Sequence, residues 1–76
     1  AAGFMAWKEC FFPWTLNYDE VDIVLEGELH IRNGGQTVVG KAGDVIFIPK
    51  GSSIEFGTPS TVRFFYVTYP ADYLAQ

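Results

Sequence analysis

The stretch Gly43-Asp44-Val45-Ile46-Phe47-Ile48-Pro49-Lys50-Gly51 decides the fold. Its apolar centre is only four residues long and lies between turn-forming residues, which is typical of a short buried β-strand. Proline ends such a strand because it cannot donate to the hydrogen-bond ladder, and glycine accepts the backbone conformation of a tight turn. The stretch therefore predicts a β-strand that begins and ends at turns.

The segments around this stretch alternate with a period of two, as β-strands do. Asn33-Gly34-Gly35 is a strong hairpin signal, and Thr58-Pro59-Ser60 is expected to form a turn between two further strands. Only the tail, residues 70–76, could hold a helical turn. Short, regularly spaced strands predict an all-β sandwich or barrel. The predicted strand segments are residues 4–7, 21–26, 28–32, 45–48, 54–56 and 62–69.

Composition limits the function. The chain has 76 residues, of which 49% are hydrophobic, so we expect one small domain. A net charge of −4 argues against binding to nucleic acid or to an anionic membrane surface, both of which reward clustered lysine and arginine. The single cysteine excludes an internal disulfide, and no apolar run is long enough to span a bilayer. Since the chain starts at Ala1 inside an apparent strand, we expect residues 1–76 to be one domain excised from a longer protein.

The glycine and proline spacing resembles the cupin motifs. Residues 43–51 have the spacing of the second motif, namely glycine, five residues, proline, one residue and glycine. Glu20, seven residues before Gly27, resembles the end of the first motif. The resemblance implies a cupin, or RmlC-like, jelly-roll β-barrel, here truncated at its N-terminus.

This chain departs from metal-binding cupins at the positions of the metal ligands. Of the usual four ligands only Glu20 remains, and one carboxylate does not hold zinc or iron. We therefore expect no transition metal. The positions of the family's three histidines carry Pro13 and Thr15, or with a different spacing Trp14 and Leu16, followed by Ile54.

Three segments resemble the ethanolamine utilisation protein EutQ family, namely residues 11–22, 43–57 and 62–70. The resemblance implies the C-terminal cupin domain of a cytoplasmic protein associated with a bacterial microcompartment. It also implies acetate kinase activity, in which ATP and acetate give acetyl phosphate and ADP, with Mg²⁺ and ATP as cofactors. Shell or cargo proteins of the microcompartment are then expected partners.

Glu20 and Asp22 are the candidate catalytic residues, and the sequence allows two orientations for them. Periodicity places these acids on the solvent face, opposite Val21, Ile23 and Leu25. The cupin resemblance places Glu20 inside the barrel, which turns the apolar residues outward. We favour the inward orientation; both patterns hold together only if a bulge shifts the register.

An inward pair would have one raised pKa, or would hold Mg²⁺ together with substrate phosphates. The candidate substrate-binding residues are Trp14, Tyr18, Phe47, Tyr66 and Lys50. The rings would line the mouth of the barrel, and the lysine would meet phosphate. Each also has a simpler interpretation, as core packing for the aromatic residues and as a solvated turn residue for Lys50.

Two alternatives to catalysis remain. One is a metal-free module that binds a small molecule without turnover. The other is a docking module that contacts microcompartment proteins through the face formed by Val21, Ile23 and Leu25. Because a small barrel with an exposed apolar face gains from burying it, we also expect a homodimer.

Overall fold

The computed structural model describes residues 1–69, which form a single antiparallel sheet of five strands. This confirms the all-β prediction; the predicted helical turn at 70–76 lies outside the described residues. Within residues 1–69, no helix is long and apolar enough to cross a membrane. The strands are β1 (Ala2–Thr15), β2 (Asp19–Asn33), β3 (Gln36–Lys41), β4 (Val45–Ile48) and β5 (Ser53–Tyr69).

Strand β2 is the centre of the sheet, whose order is β1-β5-β2-β3. Its first half pairs with β4 and its second half with β3, while β5 runs along its other side. Strand β1 pairs with β5 over its whole length, and Pro13 is tolerated there because β1 lies at an edge. The core between these strands is entirely buried. It consists of Leu16, Tyr18, Val24, Leu29, Ile31, Ile48, Ile54, Phe56, Val62 and Phe64.

The predicted hairpin is present between β2 and β3. Asn33 pairs with Gln36, so Gly34 and Gly35 form a two-residue turn. Both glycines have positive φ, of 58° and 86°, as the hairpin turn that matches strand twist requires.

The turn predicted at Thr58-Pro59-Ser60 is wrong. Strand β5 continues through these residues to Tyr69. These three residues instead lie where the pairing of β5 is irregular on both of its sides, with β1 and with β2. Between Cys10 and Lys8 the register with β1 shifts, and between His30 and Gly27 the register with β2 shifts. Proline and the small hydroxyl residues are tolerated here because the ladder is already interrupted.

Strand β2 changes its buried face part-way along. Glu20, Asp22 and Val24 are buried at even positions, whereas Leu29 and Ile31 are buried at odd positions. The change occurs at register shifts between Val24 and His30, as expected when bulges add unpaired residues to a strand. The acidic residues therefore face inward without disturbing the alternation that follows.

The outer face of the sheet is apolar next to the acidic pair. One row across four strands consists of Phe4, Phe65, Ile23 and Val45, paired in that order. Phe4 and Val45 are 70% and 64% exposed, and the Phe4 and Phe65 rings lie 5.0 Å apart. Turning Glu20 and Asp22 inward thus leaves a continuous apolar surface outside.

Candidate functional site

Strands β1, β2 and β5, with the segment between β1 and β2, line an open cavity of about 520 Å³ on the inner side of the sheet. This volume is in the range of small-molecule sites. The lining is mostly aromatic, with a few polar groups and one carboxyl. It consists of Met5, Trp7, Phe12, Trp14, Thr15, Asn17, Tyr18, Glu20, Phe56, Phe64, Tyr66 and Thr68.

Glu20 and Asp22 are adjacent on the buried face of β2 but differ in access to the cavity. Glu20 is 6% exposed and lines the cavity, whereas Asp22 is completely buried and does not. No N–H or O–H group within residues 1–69 donates to either carboxyl oxygen of Asp22. The carboxyl that Asp22 meets is that of Glu20, so the two residues act as one unit.

Burial decides the protonation of this pair. Burial, a hydrogen bond with Glu20 and repulsion by its charge, in that order of size, together raise the pKa of Asp22 to about 9. Burial also raises the pKa of Glu20, although the hydrogen bond from Asp22 opposes that rise. At neutral pH Asp22 is therefore the protonated member of the pair, and burial holds the pKa of Glu20 above its ordinary value. Because a protonated carboxyl group is neutral and is itself a donor, the Asp22 oxygens do not require a hydrogen-bond donor from the protein.

The mouth of the cavity is held by the segment between β1 and β2. The Leu16 amide donates to the Ser52 carbonyl at 3.0 Å, and the Leu16 carbonyl accepts from the Gly51 amide at 2.8 Å. These bonds fix the bend that follows Trp14. The Trp14 Nε1 then donates to the Tyr18 hydroxyl at 2.9 Å. Both rings are thereby held in place beside Glu20.

Behind the mouth, aromatic rings form the cavity wall. The Trp7 ring packs edge-on against Phe12, Phe56 and Phe64, with centroid distances of 4.9, 5.7 and 5.0 Å. Such edge-to-face contacts stabilise a rigid aromatic cluster. The rings of the wall are thus held in place by contacts with one another.

The structure brings four of the candidate residues to this cavity, namely Trp14, Tyr18, Glu20 and Tyr66, with Asp22 directly behind Glu20. The other two lie elsewhere. Phe47 pairs with Val21 on the outer face and is 60% exposed. Lys50 is exposed in the turn after β4, where its backbone amide donates to Asp19 Oδ1 at 2.7 Å.

Metal-ligand clusters are missing from the described part of the chain. Residues 1–69 contain no group of three or more histidine, cysteine, aspartate or glutamate side chains that could hold a metal ion. At one position of a cupin histidine, Ile54 is buried in the core. At another, Trp14 forms part of the aromatic mouth.

Comparison with known proteins gives the family. The family model for the ethanolamine utilisation protein EutQ matches residues 1–75. The chain belongs to the EutQ family. It is 71% identical over 73 residues to a Salmonella typhimurium LT2 protein named acetate kinase EutQ, covering 96% of this chain and 32% of that protein. This EutQ chain thus spans about a third of the length of that relative.

Solved structures agree with the family and with the fold. The Clostridium difficile EutQ structure matches with a TM-score of 0.94 and 53% identity, over 99% of this chain and 55% of that one. A cupin-2 domain protein from Shewanella frigidimarina matches with a TM-score of 0.78 and 25% identity, over 86% of this chain and 65% of that one. The predicted cupin-type fold is confirmed for this EutQ chain.

Sequence reasoning missed most of the cavity wall of the EutQ chain. Trp7, Phe12, Phe56 and Phe64 were not among the candidates, and neither were the polar residues Thr15, Asn17 and Thr68. Their inward direction depends on the pairing of β1 with β5. The one available signal was that both tryptophans fall in the first strand, where large rings need a wide interior to pack into.

Replacement of Lys50 by alanine is expected to leave the EutQ chain almost unchanged. Its side chain is exposed and its one hydrogen bond in the structure uses the backbone amide, which alanine retains. We expect a change in the free energy of unfolding within about 0.5 kcal/mol. Urea unfolding and ligand binding to the cavity would check this. A large loss of binding with normal stability would show that Lys50 contributes to ligand binding.

Proposed function

We propose that this chain carries the small-molecule site of an acetate kinase-type reaction. In that reaction a carboxylate oxygen of acetate attacks the γ-phosphorus of ATP, the bond to the ADP oxygen breaks, and acetyl phosphate and ADP leave. The observation that carries the proposal is the Glu20 carboxyl group at the wall of a cavity in a chain 71% identical to a protein named acetate kinase EutQ. The activity of the longer relatives comes to this chain only as part of this proposal.

The donor set fits Mg²⁺ better than a transition metal. Magnesium accepts one or two carboxylates together with water and phosphate oxygens, whereas zinc and iron need several nitrogen or sulfur ligands. Glu20 supplies a carboxylate, and Thr15, Asn17 and Thr68 supply neutral oxygens in the same lining. A bound magnesium ion would neutralise phosphate charge, which is the main requirement of phosphoryl transfer.

The protein residues have distinct roles in this proposal. Glu20 is the group that contacts the substrate or its cation. Asp22 is a positioning residue, since its proton is donated to Glu20 and fixes the direction of that carboxylate. Trp14, Tyr18 and Tyr66 bind the substrate at the mouth and exclude water from it.

The wider setting is proposed on the family alone. We expect a cytoplasmic protein associated with a bacterial microcompartment and its shell or cargo proteins. A homodimer formed through the outer row of Phe4, Phe65, Ile23 and Val45 would bury the exposed apolar side chains. Sedimentation at several concentrations, with Ile23→Asp as the variant, tests the dimer.

One observation favours a second candidate, a binding module without turnover. No lysine or arginine within residues 1–69 lines the cavity. A triphosphate would therefore meet no protein cation there, although phosphoryl-transfer sites usually provide one. A ligand of little or no negative charge meets no such difficulty.

The test is acetyl phosphate formation from acetate and Mg·ATP by this chain and by Glu20→Gln. We expect turnover in the parent chain and a loss of about a hundredfold or more in the variant, because the ionised contact is removed while its shape is kept. Glu9→Gln, which alters an exposed carboxyl, is the matched control and should keep full activity.

Two results would contradict the proposal. Equal turnover in Glu20→Gln and in the parent chain would show that the reaction does not take place in this cavity. A folded parent chain without turnover would favour the binding module for residues 1–76.

A further inference from the structure

We propose that the cavity binds a small organic ammonium ion, held between the Glu20 carboxylate and the aromatic wall. This goes beyond the proposed phosphoryl transfer, because an ammonium ion is neither a substrate nor a product of that reaction. It would occupy the same carboxylate and so compete with the phosphoryl-transfer substrates.

The charge of the site favours a cation. Glu20 is 6% exposed, yet no lysine, arginine or histidine of the described chain lines the cavity beside it. A carboxylate removed from water without a counter-charge is costly, and its neighbour Asp22 adds no positive charge. A bound cation would supply the missing partner.

The aromatic lining favours an organic cation over a metal ion. Seven rings surround the cavity, and ring faces attract ammonium groups through their negative centre. A hard metal ion gains its affinity from oxygen ligands and has no need of such a wall. An alkylammonium uses both features, since its charge meets Glu20 and its methylene groups meet the rings. The rings are those of Trp7, Phe12, Trp14, Tyr18, Phe56, Phe64 and Tyr66.

The charge count agrees with a single positive charge. Because Asp22 holds its proton, an ammonium group in the cavity would meet one carboxyl group, that of Glu20, and its charge would favour the ionised form of that group. One ammonium group matches the charge of that single carboxylate.

The polar part of the lining refines the ligand. Thr15, Asn17 and Thr68 place hydroxyl and amide groups around the same cavity. The Thr68 hydroxyl donates to the Ala1 carbonyl and the Thr15 hydroxyl bonds to that of Ser53, so their oxygens can still accept from a ligand hydroxyl. The Asn17 amide can donate to it or accept from it, which points to a short hydroxyalkylammonium. Ethanolamine, protonated at pH 7, has this chemistry and is the first probe; tetramethylammonium tests the cation and ring component alone.

The experiment uses tryptophan fluorescence, because Trp7 and Trp14 are the two tryptophans of the sequence and both line the cavity. The chain is titrated with ethanolamine, tetramethylammonium and the neutral analogue ethylene glycol at constant ionic strength. We expect saturable changes with both ammonium ions and none with ethylene glycol. Glu20→Gln should weaken ethanolamine binding about tenfold or more, and Glu9→Gln should not alter it.

A second variant covers the case in which Glu20→Gln fails to fold. Trp14 is 45% exposed, so Trp14→Leu should fold, and Trp7 still reports on binding. We expect several-fold weaker binding of tetramethylammonium. The proposal is overturned if neither ammonium ion gives a saturable change, if ethylene glycol binds as well as ethanolamine, or if folded Glu20→Gln binds ethanolamine normally. These titrations contain no ATP, so failure of the transfer reaction would leave them interpretable, and the converse also holds.

Discussion

Replacing Gly27 by alanine is expected to destabilise the domain severely. Gly27 has a φ of +74°, and a Cβ built on it would lie 2.0 Å from the Thr61 carbonyl oxygen of β5. Strain and overlap with backbone together should cost about 4 kcal/mol or more. A domain of 76 residues has a total stability of only about 4 to 11 kcal/mol, so most of the chain could unfold.

Urea unfolding with Gly34→Ala as the control would measure this effect. Gly34 also has positive φ, of +58°, but a Cβ there would meet nothing within 4 Å. We expect this control to lose only about 1 kcal/mol, from the backbone conformation alone. Similar losses at both positions would mean that the close approach of β2 to β5 is not what fixes Gly27.

The second large effect is a loss of stability with rising pH. Asp22 has a pKa of about 9 in the folded chain against an ordinary value of 3.8, so the folded state binds the extra proton between these values. Stability is therefore greatest below the ordinary value and falls as pH rises towards 9. One proton of difference gives a slope of about 1.4 kcal/mol per pH unit, or about 4 kcal/mol between pH 5 and pH 8.

Asp22→Asn should flatten this dependence, because the amide cannot ionise. The comparison is the free energy of unfolding in urea at several pH values, with Glu9→Gln as the exposed carboxyl control. We expect a shallower fall from pH 5 to pH 8 in Asp22→Asn, in which only the raised pKa of Glu20 remains, while Glu9→Gln follows the parent chain. An unchanged slope in Asp22→Asn would show that Asp22 is ionised in the folded protein.

Local sequence was sufficient for β4, for most of β2 and for the hairpin at Gly34-Gly35, because period and turn chemistry are local properties. It did not predict β3 or most of β1, and it divided β5 in two. It was not sufficient for the orientation of Glu20. Periodicity alone pointed this residue to solvent, and the glycine spacing pointed it inward. In the structure Glu20 faces inward, because the register of β2 shifts beyond Val24. Such a shift depends on contacts with β5 that no single segment contains.

The candidate site shows the same limit. Trp14 and Tyr18 were identified because they lie close to the positions at which metal-binding cupins carry histidine ligands. Both residues line the cavity. Phe47 was also a candidate, but its pairing with Val21 turns it outward. The wall residues Trp7 and Phe64 come from strands far apart in the chain, and only the register of β1 on β5 brings them together.

The change of buried face along β2 separates two tasks on one strand. Glu20 and Asp22 lie in the half of β2 next to the cavity, while Leu29 and Ile31 lie in the other half, where they pack in the hydrophobic core. Ligand preference could therefore be altered at the first end by exchanging polar groups, with little effect on the packing that holds the barrel together. This division makes the domain a suitable scaffold for redesigned binding sites.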